Sequence, residues 1–134
     1  MDEIQMRDFQ RITDEAFVID SWMRSFYTNS PFTIYLPRKE FQVKHLPIIN
    51  RLIGKSTIRL AVEGMSPDII VGYIVYEPEV MHYVYVKEAF RGFGIGRRLI
   101  AQCDFPSCPR VTHLTERGRQ ITRRLGFIYS PYFE

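Results

Sequence analysis

The residues most suited to chemistry are Arg91-Gly92-Phe93-Gly94-Ile95-Gly96, three glycines at a spacing of two. They stand between an apolar run, Val80–Val86, and a helical pattern that begins at Arg97. Glycines so placed leave backbone N–H groups bare of side-chain cover, and a helix start adds the positive end of its dipole. Converging donors of that kind suit an anion, above all a phosphate or pyrophosphate. The dinucleotide fingerprint G-x-G-x-x-G needs a different third spacing. The P-loop needs a Lys followed by Ser or Thr that this stretch lacks.

Several titratable side chains cluster around the same strand. His82 lies on Val80–Val86, and an ordinary imidazole titrates near neutral pH, as a general base requires. Glu77 and Glu79 sit at the preceding turn, where a carboxylate could reach an incoming amine. His113 and His45 are further histidine candidates, while Tyr83, Tyr85, Tyr129 and Tyr132 could supply a proton. Each has a plain alternative: a packed histidine, a solvated turn, a core aromatic. Tyr27, Phe32 and Tyr35, in and beside a Pro-punctuated loop, could form a substrate wall that stacks on a base or takes an aliphatic amine. Arg117, Arg119, Arg123 and Arg124 are the densest basic cluster, a solvated helix face or a surface for phosphates.

The elements that position these groups follow from periodicity. Met6–Ile12 alternates like a strand. Thr13 is suited to cap a helix over Asp14–Tyr27, with Asp14 and Glu15 in its first turn. Phe32–Leu36 is a loop. Phe41, Leu46, Ile49, Leu52 and Ile53 predict a second helical region, which Pro47 should kink or restart and Gly54 should stop. Thr57–Glu63, Ile69–Tyr76 and Val80–Val86 predict three strands with short turns, an antiparallel meander. A helix to about Cys103, a strand over Arg110–Thr115, a helix over Arg117–Leu125 with Gly118, Ile121 and Leu125 inward, and a strand over Phe127–Tyr132 complete the order. The class is α+β, a mixed, largely antiparallel sheet.

The 134 residues, 46% hydrophobic, are enough for one core, and the expectation is a single domain over 1–134. Net charge is +3, but residues 87–134 carry 9 basic and 4 acidic side chains whereas residues 1–86 carry 9 and 11. That asymmetry suits a polyphosphate cofactor or a nucleic acid. Cys103 and Cys108 form one Cys-x4-Cys pair, neither a disulfide framework nor a metal-ligand set, so no metal is expected and reduced thiols in the cytoplasm are. No signal-peptide h-region and no run of about 18 apolar residues is seen, so no membrane association is expected.

Arg91, Gly94 and Gly96 after a strand ending in Val86 resemble the acyl-CoA pyrophosphate loop of the GNAT (GCN5-related N-acetyltransferase) superfamily. The element order, β-α-α-β-β-β-α-β-α-β, is that superfamily's order, and Leu125-Gly126-Phe127 is similar to the tripeptide that closes its last core helix. Within it, the stretch Phe17–Phe32 and the strand His82–Val86 resemble small phage-encoded GNAT proteins and, more distantly, the phage Mom DNA-modification protein. The chain departs from the family pattern at Thr115 and Thr122, where a polar anchor and a tyrosine acid are usual.

The resemblance implies an N-acyltransferase using acetyl-CoA or another acyl-CoA. Backbone N–H groups of Phe93, Gly94, Ile95, Gly96 and Arg97 would hold the pyrophosphate, Arg91 and Arg97 would add charge-assisted contacts, and Gly92 belongs to the same cofactor-binding loop. Val84 and Val86 would flank the pantetheine arm, and a free N–H near Tyr85 would polarise the thioester carbonyl, with His82 and Glu77 as acid–base groups. The acceptor amine is open; a base in phage DNA leads, against a CoA- or nucleic-acid-binding module without turnover and a protein-lysine acetyltransferase. A monomer or a homodimer would serve.

Overall fold

A computed structural model describes residues 3–133; Met1, Asp2 and Glu134, at the ends of the expected 1–134 unit, lie outside the described residues. Six strands form one sheet in sequence order: β1 (Ile4–Asp8), β2 (Thr57–Glu63), β3 (Ser66–Glu77), β4 (Val80–Val86), β5 (Arg110–Val111) and β6 (Ile128–Tyr129). β1 to β4 are antiparallel, and β5 and β6 add in parallel. The helices are α1 (Arg11–Asn29), α2 (Arg38–Lys55), α3 (Ile95–Ala101) and α4 (Glu116–Arg124). This is the α+β order and mixed sheet that the sequence predicts.

Alternate strand residues feed two cores. Leu60, Val62, Tyr73, Val75 and Tyr83 pack against Val18, Trp22 and Phe26 of α1 and Phe41, Ile49, Leu52 and Ile53 of α2. Ala61, Val71, Ile74 and Met81 pack on the opposite face with Ile95, Leu99 and Ile100 of α3. Burial on both faces explains why Ile70–Val75 is a continuous apolar run rather than an alternating one.

Four local expectations are corrected. The first strand ends at Asp8, and α1 begins at Arg11 with Gln10 as its cap, two residues before Thr13. Asp14 is in the first turn of α1, as expected, whereas Glu15 lies beyond it; Asp14 is also buried, accepts from Arg7 Nη1 at 2.8 Å and Nη2 at 2.9 Å, and takes the Gln10 N–H at 2.8 Å. α2 runs unbroken through Pro47, because the carbonyl that loses its bond belongs to Val43 on the solvent side, and it passes Gly54 to end at Lys55. On α4 the buried residue is Thr122, whose hydroxyl donates to Gly118 O at 2.9 Å, while Leu125 is exposed.

Candidate active site

β4 and β5 pair at Val80–Arg110 and Met81–Val111, and Thr112 N–H adds one more bond to Met81 O at 3.2 Å. Beyond that point the strands part. A groove of about 740 Å3 opens between Tyr83–Val86 on one wall and Thr115–Ile121 on the other. Ser25 and Asn29 of α1 line it too, as do Arg91, Gly92, Gly94, Ile95, Gly96 and Arg97.

The β4 wall presents backbone. Lys87 N–H bonds to Val71 O at 2.8 Å, and the β3–β4 register pairs Gly72 with Val86. The alternation of an antiparallel ladder then directs the peptide groups of Tyr83 and Tyr85 toward β3 and those of Val84 and Val86 toward the groove. The free N–H sought near Tyr85 is thus that of Val84 or Val86, not of Tyr85 itself. The Val86 carbonyl already accepts from Arg91 Nε at 2.9 Å, so Arg91 ties the turn to the strand end. That use takes the carbonyl from the backbone contacts expected of Val86.

The glycine turn is shorter than its sequence predicts: α3 begins at Ile95 rather than Arg97, so Gly96 lies inside the helix. Gly92 and Gly94 hold φ of 88° and 78°, and a Cβ built on either would meet nothing within 4 Å. Gly94 caps α3, whose first backbone bond is Arg98 N–H to Gly94 O at 3.1 Å. The amides of Ile95, Gly96 and Arg97 are therefore the donors that a helix start leaves without an acceptor in its own helix. α3 is only 7 residues long, so its dipole adds little to what the bare amides themselves offer. Phe93 is 57% exposed and is not among the groove's walls.

Of the predicted acid–base residues, Tyr83 and Tyr85 line the groove, and the histidines and Glu77 do not. His82 is fully buried; its Nδ1 lies 2.9 Å from Thr112 Oγ1 and its Nε2 2.7 Å from Glu77 Oε2. Glu77 also faces Lys55 Nζ at 3.6 Å. Neither His82, the candidate base, nor Glu77, the carboxylate expected to reach an incoming amine, is among the residues that line the groove. His113 is also buried, 2.7 Å from His45 through their Nε2 atoms. Burial, then His45 and His82, hold His113 well below its ordinary range, and burial pushes His45 down to about 4.

Of the substrate-wall residues, Phe32 stacks on Tyr129 with centroids 4.9 Å apart, so the α1–α2 loop leans on β6. Tyr35 is exposed, whereas Tyr27 donates to Leu36 O at 2.5 Å and packs on Phe41 between the helices, outside the groove. What periodicity missed is Ser25. Its hydroxyl meets that of Tyr83 at 2.6 Å in the groove wall, and burial raises the Tyr83 phenol well above its usual range. Glu116, at the start of α4, is the one carboxylate among the described groove residues. Of the basic residues, Arg91, Arg97 and Arg117 line the groove, while Arg98 donates to Ile4 O and Arg110 to Ser130 Oγ.

A family model described as acetyltransferase (GNAT) domain matches residues 55–129, the stretch from the end of α2 through β6. The chain belongs to the GNAT acetyltransferase family. No curated protein matches it in sequence. Among solved structures it is similar to YjaB from Escherichia coli, at 19% identity and a TM-score of 0.57, over 75% of this chain and 64% of that one. A GNAT-family acetyltransferase from Staphylococcus aureus Mu50 is 18% identical with a TM-score of 0.50, over 75% and 63%. A GCN5-related N-acetyltransferase from Ralstonia eutropha JMP134 is 18% identical with a TM-score of 0.61, over 98% and 97%. The chain thus spans just under two thirds of the first two and nearly all of the third. These likenesses show the GNAT fold. Among the described residues no helix is long and apolar enough to cross a membrane.

Proposed function

We propose that the protein transfers an acyl group, acetyl first, from coenzyme A to an amine. The observation that carries this reading is a single groove that joins the glycine turn, the outward peptide groups of Val84 and Val86, and the Ser25–Tyr83 pair. Its volume lies within the roughly 300–1,000 Å3 usual for ligand clefts. The residues fit an acyl-CoA: Gly92 and Gly94 leave open space where side chains would intrude, and the Ile95–Arg97 amides are donors for a diphosphate.

Acyl-CoA supplies an activated thioester carbonyl when bound. The chain's own part is positional. Arg97 and Arg117 add positive charge along the groove, and the Val84 or Val86 N–H is the donor for a carbonyl oxygen. Ser25 and Tyr83 orient the amine. The phenol of Tyr85, on the groove wall, holds a proton where Thr122, engaged with Gly118 O, offers none. His82 has no part in proton transfer to the substrate on this reading. The acceptor is read as an amine on a nucleic-acid base, in a phage setting, which the exposed Arg119, Arg123 and Arg124 of α4 support through phosphate contacts. The chain acts as one domain in the cytoplasm, as a monomer or homodimer.

A second reading, a CoA-binding module without turnover, is favoured by Thr115 and Thr122. Thr115, on the groove wall, caps α4 by accepting the Gly118 N–H at 3.0 Å, and the Thr122 hydroxyl donates to Gly118 O, so both hydroxyls bond to the helix backbone. Intact-mass analysis decides between them. The protein is incubated with acetyl-CoA and, in turn, amino-bearing oligonucleotides, polyamines and lysine peptides. The main reading expects one acetyl increment on the oligonucleotide. Binding without any acylation supports the module, and acylation of lysine peptides alone replaces the acceptor with a protein.

A further inference from the structure

The chain has three histidines, and the structure joins all of them in one hydrogen-bonded line. His45 Nε2 lies 2.7 Å from His113 Nε2, and His113 Nδ1 lies 2.9 Å from Thr112 Oγ1. Thr112 Oγ1 is 2.9 Å from His82 Nδ1, and His82 Nε2 is 2.7 Å from Glu77 Oε2. Four pieces of the fold are linked: α2, the segment after β5, β4 and the end of β3. Trp22 and Phe26 pack on His113, and Phe26 and Phe41 on His45, so the line runs through an aromatic interior.

The carboxylate gives the line a direction. An ionised Glu77 only accepts, so His82 presents Nε2–H to it, and the neutral ring leaves Nδ1 as an acceptor. The Thr112 hydroxyl then donates to His82 and accepts from His113 Nδ1–H. His113 Nε2 in turn accepts from His45 Nε2–H. With neutral rings, one pattern of tautomers satisfies these four contacts together.

The line also meets the groove at its apex. The register places Val75 opposite Tyr83 and Tyr76 opposite Met81, so His82 is the extra residue of a β-bulge. That bulge lets Met81 join Val84 and Val86 in one core while Tyr83 and Tyr85 turn to the other. Thr112 links β5 to β4 twice where the strands part, by its N–H to Met81 O and by its hydroxyl to His82.

We propose that Thr112 and His82 are positioning residues: the line polarised by Glu77 clamps the apex of the β4–β5 divergence and so sets where Tyr83 and the Val84 peptide stand in the groove. This rests on the reading of the groove as the acyl-CoA site. Neither side chain touches substrate; both act through β4.

The test begins with two-bond 1H–15N correlation of the imidazoles in the wild type at neutral pH. It should show Nε2–H for His82, Nδ1–H for His113 and Nε2–H for His45; the reverse tautomer at His113 overturns the proposal. Thr112→Val, which swaps the hydroxyl for a methyl, should raise KM for acetyl-CoA about tenfold, with Thr112→Ser restoring it. A variant that loses only melting temperature while keeping wild-type KM and kcat means a structural role alone, and overturns the proposal. If the wild type binds no acyl-CoA, the cofactor reading fails by itself. The clamp is then decided by the Tyr83 amide and ring shifts, which Thr112→Val must move and Thr112→Ser must not.

Discussion

Ser25 Oγ and the Tyr83 hydroxyl oxygen stand 2.6 Å apart in the wall of the groove, one carried by α1 and the other by β4. Trp22 stacks on the Tyr83 ring with 3° between planes and centroids 5.3 Å apart, so the phenol has little freedom. Ser25 keeps a second bond, to Ser21 O at 2.5 Å. Tyr83→Phe therefore leaves Ser25 partnered and should cost about 1 kcal/mol of stability. The proposed role predicts a larger effect on the reaction, roughly a tenfold fall in kcat/KM for the amine with KM for acetyl-CoA unchanged. Steady-state kinetics with each substrate varied in turn checks this.

Gly94 at φ 78° is open to solvent and strained for any other residue. Gly94→Ala should cost about 1–2 kcal/mol through the left-handed backbone alone. Gly94→Phe adds a side chain in the space assigned to the diphosphate and should abolish CoA binding in a protein that still folds. Denaturant titration and calorimetry measure the two effects separately.

The half-buried His45 and the buried His113 predict a pH dependence of stability. His45 falls from its ordinary 6.5 to about 4, and His113 well below 6.5. Since the folded protein resists protonation at both, the unfolded chain binds protons first as pH falls. Stability should be level above about pH 6.5 and decline progressively toward about pH 4. His113→Gln should flatten that decline. Melting temperatures across the pH range provide the measurement; a decline unchanged in His113→Gln refutes the assignment.

The same burial bears on the rate profile. With no histidine lining the groove, kcat/KM should rise with pH along the acceptor amine's own titration and show no inflection between about pH 6 and 7. An inflection there that vanishes in His82→Asn would restore His82 as the base.

Asp14 is held below the usual carboxylate range, first by the Arg7 hydrogen bonds. Asp14→Asn should cost about 2 kcal/mol by taking the carboxylate from Arg7, which keeps Pro67 O and Asp8 O, and by loosening the Gln10 cap. Chemical denaturation of the variant beside Arg7→Gln, in a double-mutant cycle, tests the pair.

The glycine turn and the strands β2 and β4 were legible in the sequence because backbone geometry demands particular residues there. Positive φ at Gly92 and Gly94 and the pleated runs Thr57–Glu63 and Val80–Val86 are local requirements. Pairings across the chain were not legible. His45 and His113 are 68 positions apart, and nothing in their neighbours' types announces the contact. Residue type and place on Val80–Val86 make His82 a candidate base, but the bulge at that residue, which depends on pairing with β3, leaves no mark in the strand's own sequence. Ser25 was missed because a serine at a helical core spacing reads as a gap in the apolar stripe, and its partner lies on β4. α4 was read with Leu125 inward because Thr122, the buried position, is polar and satisfies itself on Gly118 O.

An amide-resolved acetyl-CoA titration of the 15N-labelled 15.9 kDa protein tests the central claim most directly. The prediction is saturable shifts concentrated at Gly92, Gly94, Ile95, Gly96 and Arg97 and at Val84 and Val86, with β1 and the outer face of α2 unmoved. Saturable shifts centred anywhere else, or none at millimolar ligand, would contradict it.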